Sequence, residues 1–159
     1  MDNFIGVLKK YAVFKGRAGR REYWMFVLVS LIVSIVLSIL DGIFGLKLDK
    51  DTGVLSSLYS LAVFLPTLGV SIRRLHDTNH SGWWILAPSI AGLITVGLFF
   101  LSIFQNNYVP LIIGGIVTLI LGVALVIFFV LDSNPGENKY GPNPKEVVST
   151  PTPAPTATV

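Results

Sequence analysis

Cysteine is absent from this 159-residue chain, which excludes disulfides, thiolate metal sites and cysteine nucleophiles. Charge is scarce as well. Twelve Lys and Arg and nine Asp and Glu make up 13% of the residues, about half the roughly 25% of an ordinary soluble domain. A soluble domain of this size could not cover its surface with so few charges, so the composition argues against a soluble enzyme, a disordered tail protein and a nucleic-acid binder. Histidine occurs only twice. The alternation of polar and apolar residues over about ten positions that a membrane β-barrel needs is also missing.

What the chain has instead is apolar length. Hydrophobic residues reach 52%, and the mean hydropathy is +0.70. Four stretches stand out: Trp24 to Leu40, Val54 to Ile72, Trp83 to Phe104 and Val109 to Leu131, of 17, 19, 22 and 23 residues. A helix needs about 20 residues to cross a bilayer core. None of the four has the polar face of a soluble helix. The first is not a cleaved leader: more than twenty residues dense in charge precede it, no small-residue exit site follows, and three further stretches come after. The expected fold is an all-α membrane protein of four transmembrane helices with an N-terminal interfacial amphipathic helix. Its parts are a basic cytoplasmic segment 1–22, a transmembrane domain 23–146 with a cytoplasmic loop 73–82 and a cap 132–144, and a disordered tail 147–159 of Ser, Thr, Pro and Ala.

Threading follows from Lys and Arg in the flanks. Six precede the first span (Lys9, Lys10, Lys15, Arg17, Arg20, Arg21). Arg73 and Arg74 lie in the second loop, and Lys139 and Lys145 in the C-terminal segment. The opposite side holds Lys47 and Lys50 alone. Ten against two puts both termini in the cytoplasm. Trp24, Trp83 and Trp84 then all fall at cytoplasmic span ends, where tryptophan anchors at the interface.

Within residues 2–14, Phe4, Val7, Leu8, Tyr11 and Phe14 share one side of a helical wheel, opposite Asp2, Asn3, Lys9 and Lys10. That pattern suits a helix on the inner leaflet or one packed on the protein's own cytoplasmic face. Ser30, Ser34 and Ser38, and Gly114, Thr118 and Gly122, recur every four residues, which lets helices approach closely. Pro66 and Pro88 are expected to interrupt the second and third spans, each freeing a carbonyl one turn earlier. Pro110 opens the fourth, where its missing N–H costs nothing. Asp41 is the only acidic or basic residue that falls within a span's reach, near the outer end of its helix.

Three polar motifs share the cytoplasmic side: FKGRAGRREYW (Phe14 to Trp24), RRLHDTNHSGWW (Arg73 to Trp84) and NPGENKYGPNP (Asn134 to Pro144). Taken together they resemble the bacterial family known as domain of unknown function 805, small inner-membrane proteins. The resemblance rests on Gly16, Arg17, Ala18 and Arg20 to Trp24; on Arg73 to Thr78 with Ser81 to Trp84; and on Pro135, Gly136, Asn138, Tyr140, Gly141, Pro142 and Pro144. It covers nearly all of the chain except the tail. His80 stands where relatives usually carry Arg or Lys, and the stretch from Trp84 to Asn134 is longer than in compact members. The resemblance implies a bacterial inner-membrane protein and implies no activity.

Read physically, Arg73 and Arg74 stand four and three residues before Asp77, both salt-bridge spacings on a helix. His76 and His80 are spaced as a metal-ligand pair, but no third His and no Cys exist to complete a site, so no metal and no cofactor are expected. No paired carboxylates, nucleophile elbow or phosphate-cradling glycine loop is present. Arg17, Arg20, Arg21, Arg73, Arg74 and His76 with Glu22 and Asp77 allow two readings. One is the positive-inside signal plus salt bridges. The other is an anionic headgroup site, since guanidinium forks favour phosphate and basic pockets between helices bind anionic lipids. A tight turn in the third motif would lay Asn138, Tyr140 and Gly141 against the rim as a cap. The expected function is a non-enzymatic membrane assembly or anionic-lipid-contacting module. A small transporter or channel subunit is the alternative, followed by a membrane enzyme using His76 and Asp77 on a lipid headgroup. Expected partners are the bilayer, anionic lipid in particular, and a second copy or another membrane protein.

Overall fold

The computed structural model describes residues 2–49 and 52–149. Four long helices dominate: α2 (Arg20–Phe44), α3 (Val54–Asp77), α4 (Leu86–Gln105) and α5 (Val109–Val130). A 3-10 turn, Gly82–Ile85, leads into α4. Short helices α1 (Asp2–Lys9) and α6 (Pro144–Ser149) flank them. All four long elements have the length and apolar character to cross a membrane, as the sequence predicts. The first two helices outrun their apolar stretches into the charged motifs. Thus α2 begins at Arg20 and α3 runs on to Asp77, so the charged motifs are held on helical turns. The tail expected from residue 147 is helical to Ser149, and the rest of it lies outside the described residues.

The long helices form two antiparallel hairpins, α2–α3 and α4–α5. The first turns through a small antiparallel ladder, β1 (Lys47–Asp49) with β2 (Thr52–Gly53). The second turns at Asn106, whose φ of 50° ends α4 in the left-handed conformation that Asn tolerates. Asp41 does not point into a path through the bundle. Its carboxylate accepts the N–H groups of Leu55 and Ser56 at 2.9 Å each and the Ser56 hydroxyl at 2.8 Å. It therefore caps the first turn of α3, whose amides lack helical partners. A Cβ on Gly53 would come within 2.0 Å of Asp41 Oδ2, so only glycine lets the carboxylate reach.

The buried core lies at the other end of the hairpins. Val7, Ala18, Tyr23, Phe26, Val70, Leu75 and Phe129 pack together there. Along the spans large apolar side chains stay exposed, Leu61 and Leu93 at 74% each. In water such a surface would drive association; in a bilayer it is the lipid-facing side. Helix α1 docks on this core with Val7 fully buried and Phe4 stacked on Phe26 at 5.4 Å, while Ile5 and Tyr11 stay exposed. It thus meets both the protein and its surroundings.

The two prolines behave differently. Pro66 lies inside α3 and is buried. It cannot donate to the carbonyl of Ala62, and the Tyr11 hydroxyl donates to that oxygen at 2.6 Å instead. Pro88, expected to interrupt a span, falls in the first turn of α4. The 3-10 turn before it moves the helix start to Leu86, and at that position a proline costs no helical bond. Of the small-residue stripes, Gly114 and Thr118 face α4: Thr118 Oγ1 lies 3.0 Å from Thr95 Oγ1, and a Cβ on Gly114 would meet Thr95 Oγ1 at 2.9 Å. Gly122 meets nothing within 4 Å.

Candidate functional site: a buried arginine–aspartate lock

The two largest fully buried side chains in the described structure are arginines, Arg73 and Arg74. A buried guanidinium is stable only when its charge and its donors are met. The last turn of α3 arranges this. Asp77, fully buried, accepts Arg17 Nε at 2.9 Å on Oδ1. Its Oδ2 accepts Arg74 Nη1 and the Ser133 hydroxyl, the latter at 2.6 Å. Residues from three separate segments thus meet on one carboxylate.

Arg17 uses its whole fork. Beyond Asp77 Oδ1, it donates to the carbonyls of Gly136 (2.8 Å), Gly141 (3.2 Å), Asp77 (3.4 Å) and Asn134. A guanidinium has five N–H donors, and each of these five acceptors takes one. Four are backbone oxygens, three of them in the cap segment and one at the end of α3, which lacks a helical partner. Arg74 works on the last turn of α5, whose carbonyls lack helical partners. It donates from Nε to Phe129 O at 3.1 Å and from Nη2 to Leu131 O. A cation there also meets the negative end of the helix dipole. Arg20 adds a bond to Val130 O at 3.3 Å and pairs with Asp132 at 2.9 Å on the exposed side. Lys145 from α6 closes on the same Asp132, and this ammonium holds the Asp132 carboxyl below the usual carboxylate range.

Arg73 turns away from Asp77, although its spacing predicted that pair. It donates to Gly69 O at 3.3 Å and pairs with Glu22 of α2 at 3.1 Å. Its Nη2 is buried without a hydrogen-bond partner among the described residues. The reason is angular: Arg74 and Arg17 already fill both Asp77 oxygens, and position 73 faces α2. Arg21 is exposed. The five arginines therefore do not converge on one empty site: two meet at Asp77, one at Glu22, one at Asp132, and Arg21 faces outward.

The cap is laid on this lock. Asn134 N–H donates to Asp77 O at 2.9 Å. Asn138 and Gly141 exchange both backbone bonds, at 3.1 and 2.9 Å, in a tight turn that Gly141 closes at φ 127°, a conformation open to glycine alone. The turn sends Asn138 Nδ2 to His76 O at 3.0 Å and stacks Tyr140 on His76 with ring centroids 3.8 Å apart. His76 Nδ1 lies 3.2 Å from Gly16 O, so it carries the proton. His80 is elsewhere, stacked on Phe128 at 4.0 Å, and no cluster of three metal-ligating side chains occurs among the described residues. The three tryptophans stand at this end of the bundle, Trp83 78% exposed and Trp24 and Trp84 about half as much.

Sequence reasoning missed Ser133, Asp132, Lys145 and Glu146 as parts of the site. Glu146 accepts from Gly136 N–H and Asn143 Nδ2, 3.0 Å each, while Asn143 Oδ1 accepts Lys145 N–H. Here a signal existed: Asn-Pro-x-Glu at 143–146 is a helix start with the cap residue and its acidic partner three positions on. For Ser133 no spacing rule would have served.

The family described as protein of unknown function (DUF805) matches residues 11–142, which span all three motifs. The chain is 39% identical to the inner membrane protein YhaH of Escherichia coli K12, over 91% of this chain and 98% of that one. It is 41% identical to the inner membrane protein YhaI of the same strain, over 91% and 97%. The uncharacterized protein YiiR is 30% identical over 84% and 87%. No solved structure matches the chain.

Proposed function

The chain belongs to the DUF805 family of small inner-membrane proteins, and from that premise we propose that it is a non-enzymatic membrane module. In this reading a rigid cytoplasmic cap presents a basic rim to anionic lipid. The observation that carries it is the saturation of the lock. Asp77 is fully occupied and Arg17 has no donor left over, so these two residues hold the protein's shape and are not free to act on a substrate. A carboxylate serving as a general base needs reach to a substrate proton; this one is closed off on both oxygens.

Exposed Lys9, Lys10, Lys15 and Arg21 lie outside the lock. The Lys and Arg bias supports placing them, with both termini, on the cytoplasmic side, facing the anionic leaflet. Each basic residue near such a surface contributes about 1 kcal/mol. The test is native mass spectrometry of protein released gently from mixed phosphatidylglycerol and phosphatidylcholine bilayers. The reading expects phosphatidylglycerol to be retained preferentially, and the preference to fall in a Lys9→Gln, Lys10→Gln, Arg21→Gln variant. Equal retention of both lipids by the native protein contradicts it. The same spectra report whether copies associate.

A further inference from the structure

Beside the lock lies a cavity of about 480 Å³ that the lock does not use. Its wall is apolar where α3 faces the start of α4: Leu68 and Ile72 come from α3, Ile85 and Leu86 from the 3-10 turn and the first residue of α4, and Phe14 adds a ring. Its polar lining residues are Ser81 and the stacked pair His76 and Tyr140. The volume falls within the roughly 300–1,000 Å³ of ligand pockets, and an apolar lining with a few polar groups is their usual make-up.

We propose that this cavity is a lipid-binding site, which takes an acyl chain of an anionic phospholipid and holds its phosphate beside His76 and Tyr140; it rests on the lipid-contact reading above and gives it a specific seat. Three observations select this occupant. The first is level. Trp83 lines the cavity and is 78% exposed, and tryptophans at span ends sit at headgroup depth. The cavity therefore opens where bilayer meets water, and lipid is what it meets. Trp83 and Ser81 also line an adjoining shallow hollow of about 280 Å³ with Trp84 and Ala87, room beside the cavity for a second chain.

The second is charge. No acidic residue lines the cavity among the described residues. The Lys139 ammonium stands 5.0 Å from the centre of the Tyr140 ring. Exposed Lys15 sits between Phe14 of the cavity wall and Gly16, whose carbonyl meets His76. One cation thus stands beside Tyr140, and a second is carried on the segment that contributes Phe14 to the wall, the charge an anionic head requires. The third is unused hydrogen-bonding capacity. With Nδ1 turned to Gly16, His76 keeps Nε2 as an acceptor. The Tyr140 hydroxyl, a donor, has no partner among the described residues, and both residues line the cavity. A phosphodiester or glycerol oxygen can accept from Tyr140, and a glycerol hydroxyl can donate to His76.

The test is native mass spectrometry of the full chain, released from phosphatidylglycerol–phosphatidylcholine bilayers at rising detergent concentration. The native protein is expected to hold one last phosphatidylglycerol after the others have left. Leu68→Trp fills the cavity and should lose that lipid; Leu86→Trp fills it from α4 and gives the same readout if the first variant does not fold. Lys15→Gln with Lys139→Gln changes exposed positions only, and should cut preference for phosphatidylglycerol over phosphatidylcholine about thirtyfold while one lipid is still held. Full retention of the last lipid in the filled variants overturns the cavity site, even where anionic preference persists through the rim. Loss of anionic preference in the native protein instead overturns the lipid-contact reading itself. The two failures are thereby distinguished.

Discussion

Asp77 is where the cost of burying charge is met. Two guanidiniums and a serine hydroxyl satisfy its oxygens, and removing the carboxylate charge leaves Arg17 and Arg74 buried without a counter-ion. Breaking a buried pair in this way costs about 3–5 kcal/mol. Asp77→Asn is therefore expected to destabilise the protein severely in an unfolding titration in mixed micelles. Asp132→Asn, which breaks exposed pairs, should shift the same curve far less; equal shifts would put the stability somewhere other than the lock. Asp132 offers a pH test. Lys145 beside it lowers its carboxyl from the ordinary value, so its contribution to the folded cap is present above about pH 4 and is lost as pH falls through the depressed value. A carboxyl titration by NMR should place its midpoint below that of an unpaired aspartate, and Lys145→Gln should raise it. The pair Arg74–Asp77 was legible from spacing along one helix. The choice of Arg73 for Glu22 was not, because it depends on which neighbouring helix each side chain faces, and spacing within a helix does not encode that.

The spans were legible as elements because four apolar stretches of adequate length admit few other structures. Their ends were less so. Charged residues at Arg20 to Glu22 and Arg73 to Asp77 read as flanks, yet they are helical, since the lock satisfies them there. Pro88 read as an interruption because the 3-10 turn that displaces the start of α4 has no strong signature beyond Ser81, whose side chain caps it. The packing of α4 on α5 is specified by small residues on one face. Gly114 has Thr95 and Leu98 at contact distance, whereas Gly115 meets nothing within 4 Å. The absence of native cysteine makes this testable with a Thr95→Cys, Thr118→Cys pair and a short cross-linker. Efficient cross-linking is expected, largely abolished by Gly114→Leu and retained with Gly115→Leu. Equal effects of the two leucines would refute the assigned face.

At the scale of the whole molecule, the protein is held by a polar, buried end and surrounded elsewhere by apolar surface. Its specificity sits where a soluble protein would place its core. The threading that the Lys and Arg bias predicts is open to a reporter test: an alkaline phosphatase fusion after Lys145 should be inactive and one at Leu48 active, and the reverse pattern contradicts cytoplasmic termini. The central claim is that Arg17 fastens the cap to the bundle through five donors. Hydrogen exchange at the amides of Asn134, Asn138 and Gly141 tests it most directly, since each is bonded within the cap or to Asp77. In the native protein these three should exchange slowly. In Arg17→Lys, which keeps the charge but loses the planar fork, they should exchange about ten- to a hundredfold faster, a loss of the 1.5–3 kcal/mol of a charge-assisted bond, with the spans unchanged. Equally fast exchange of the three amides in both proteins would mean that no lock holds the cap.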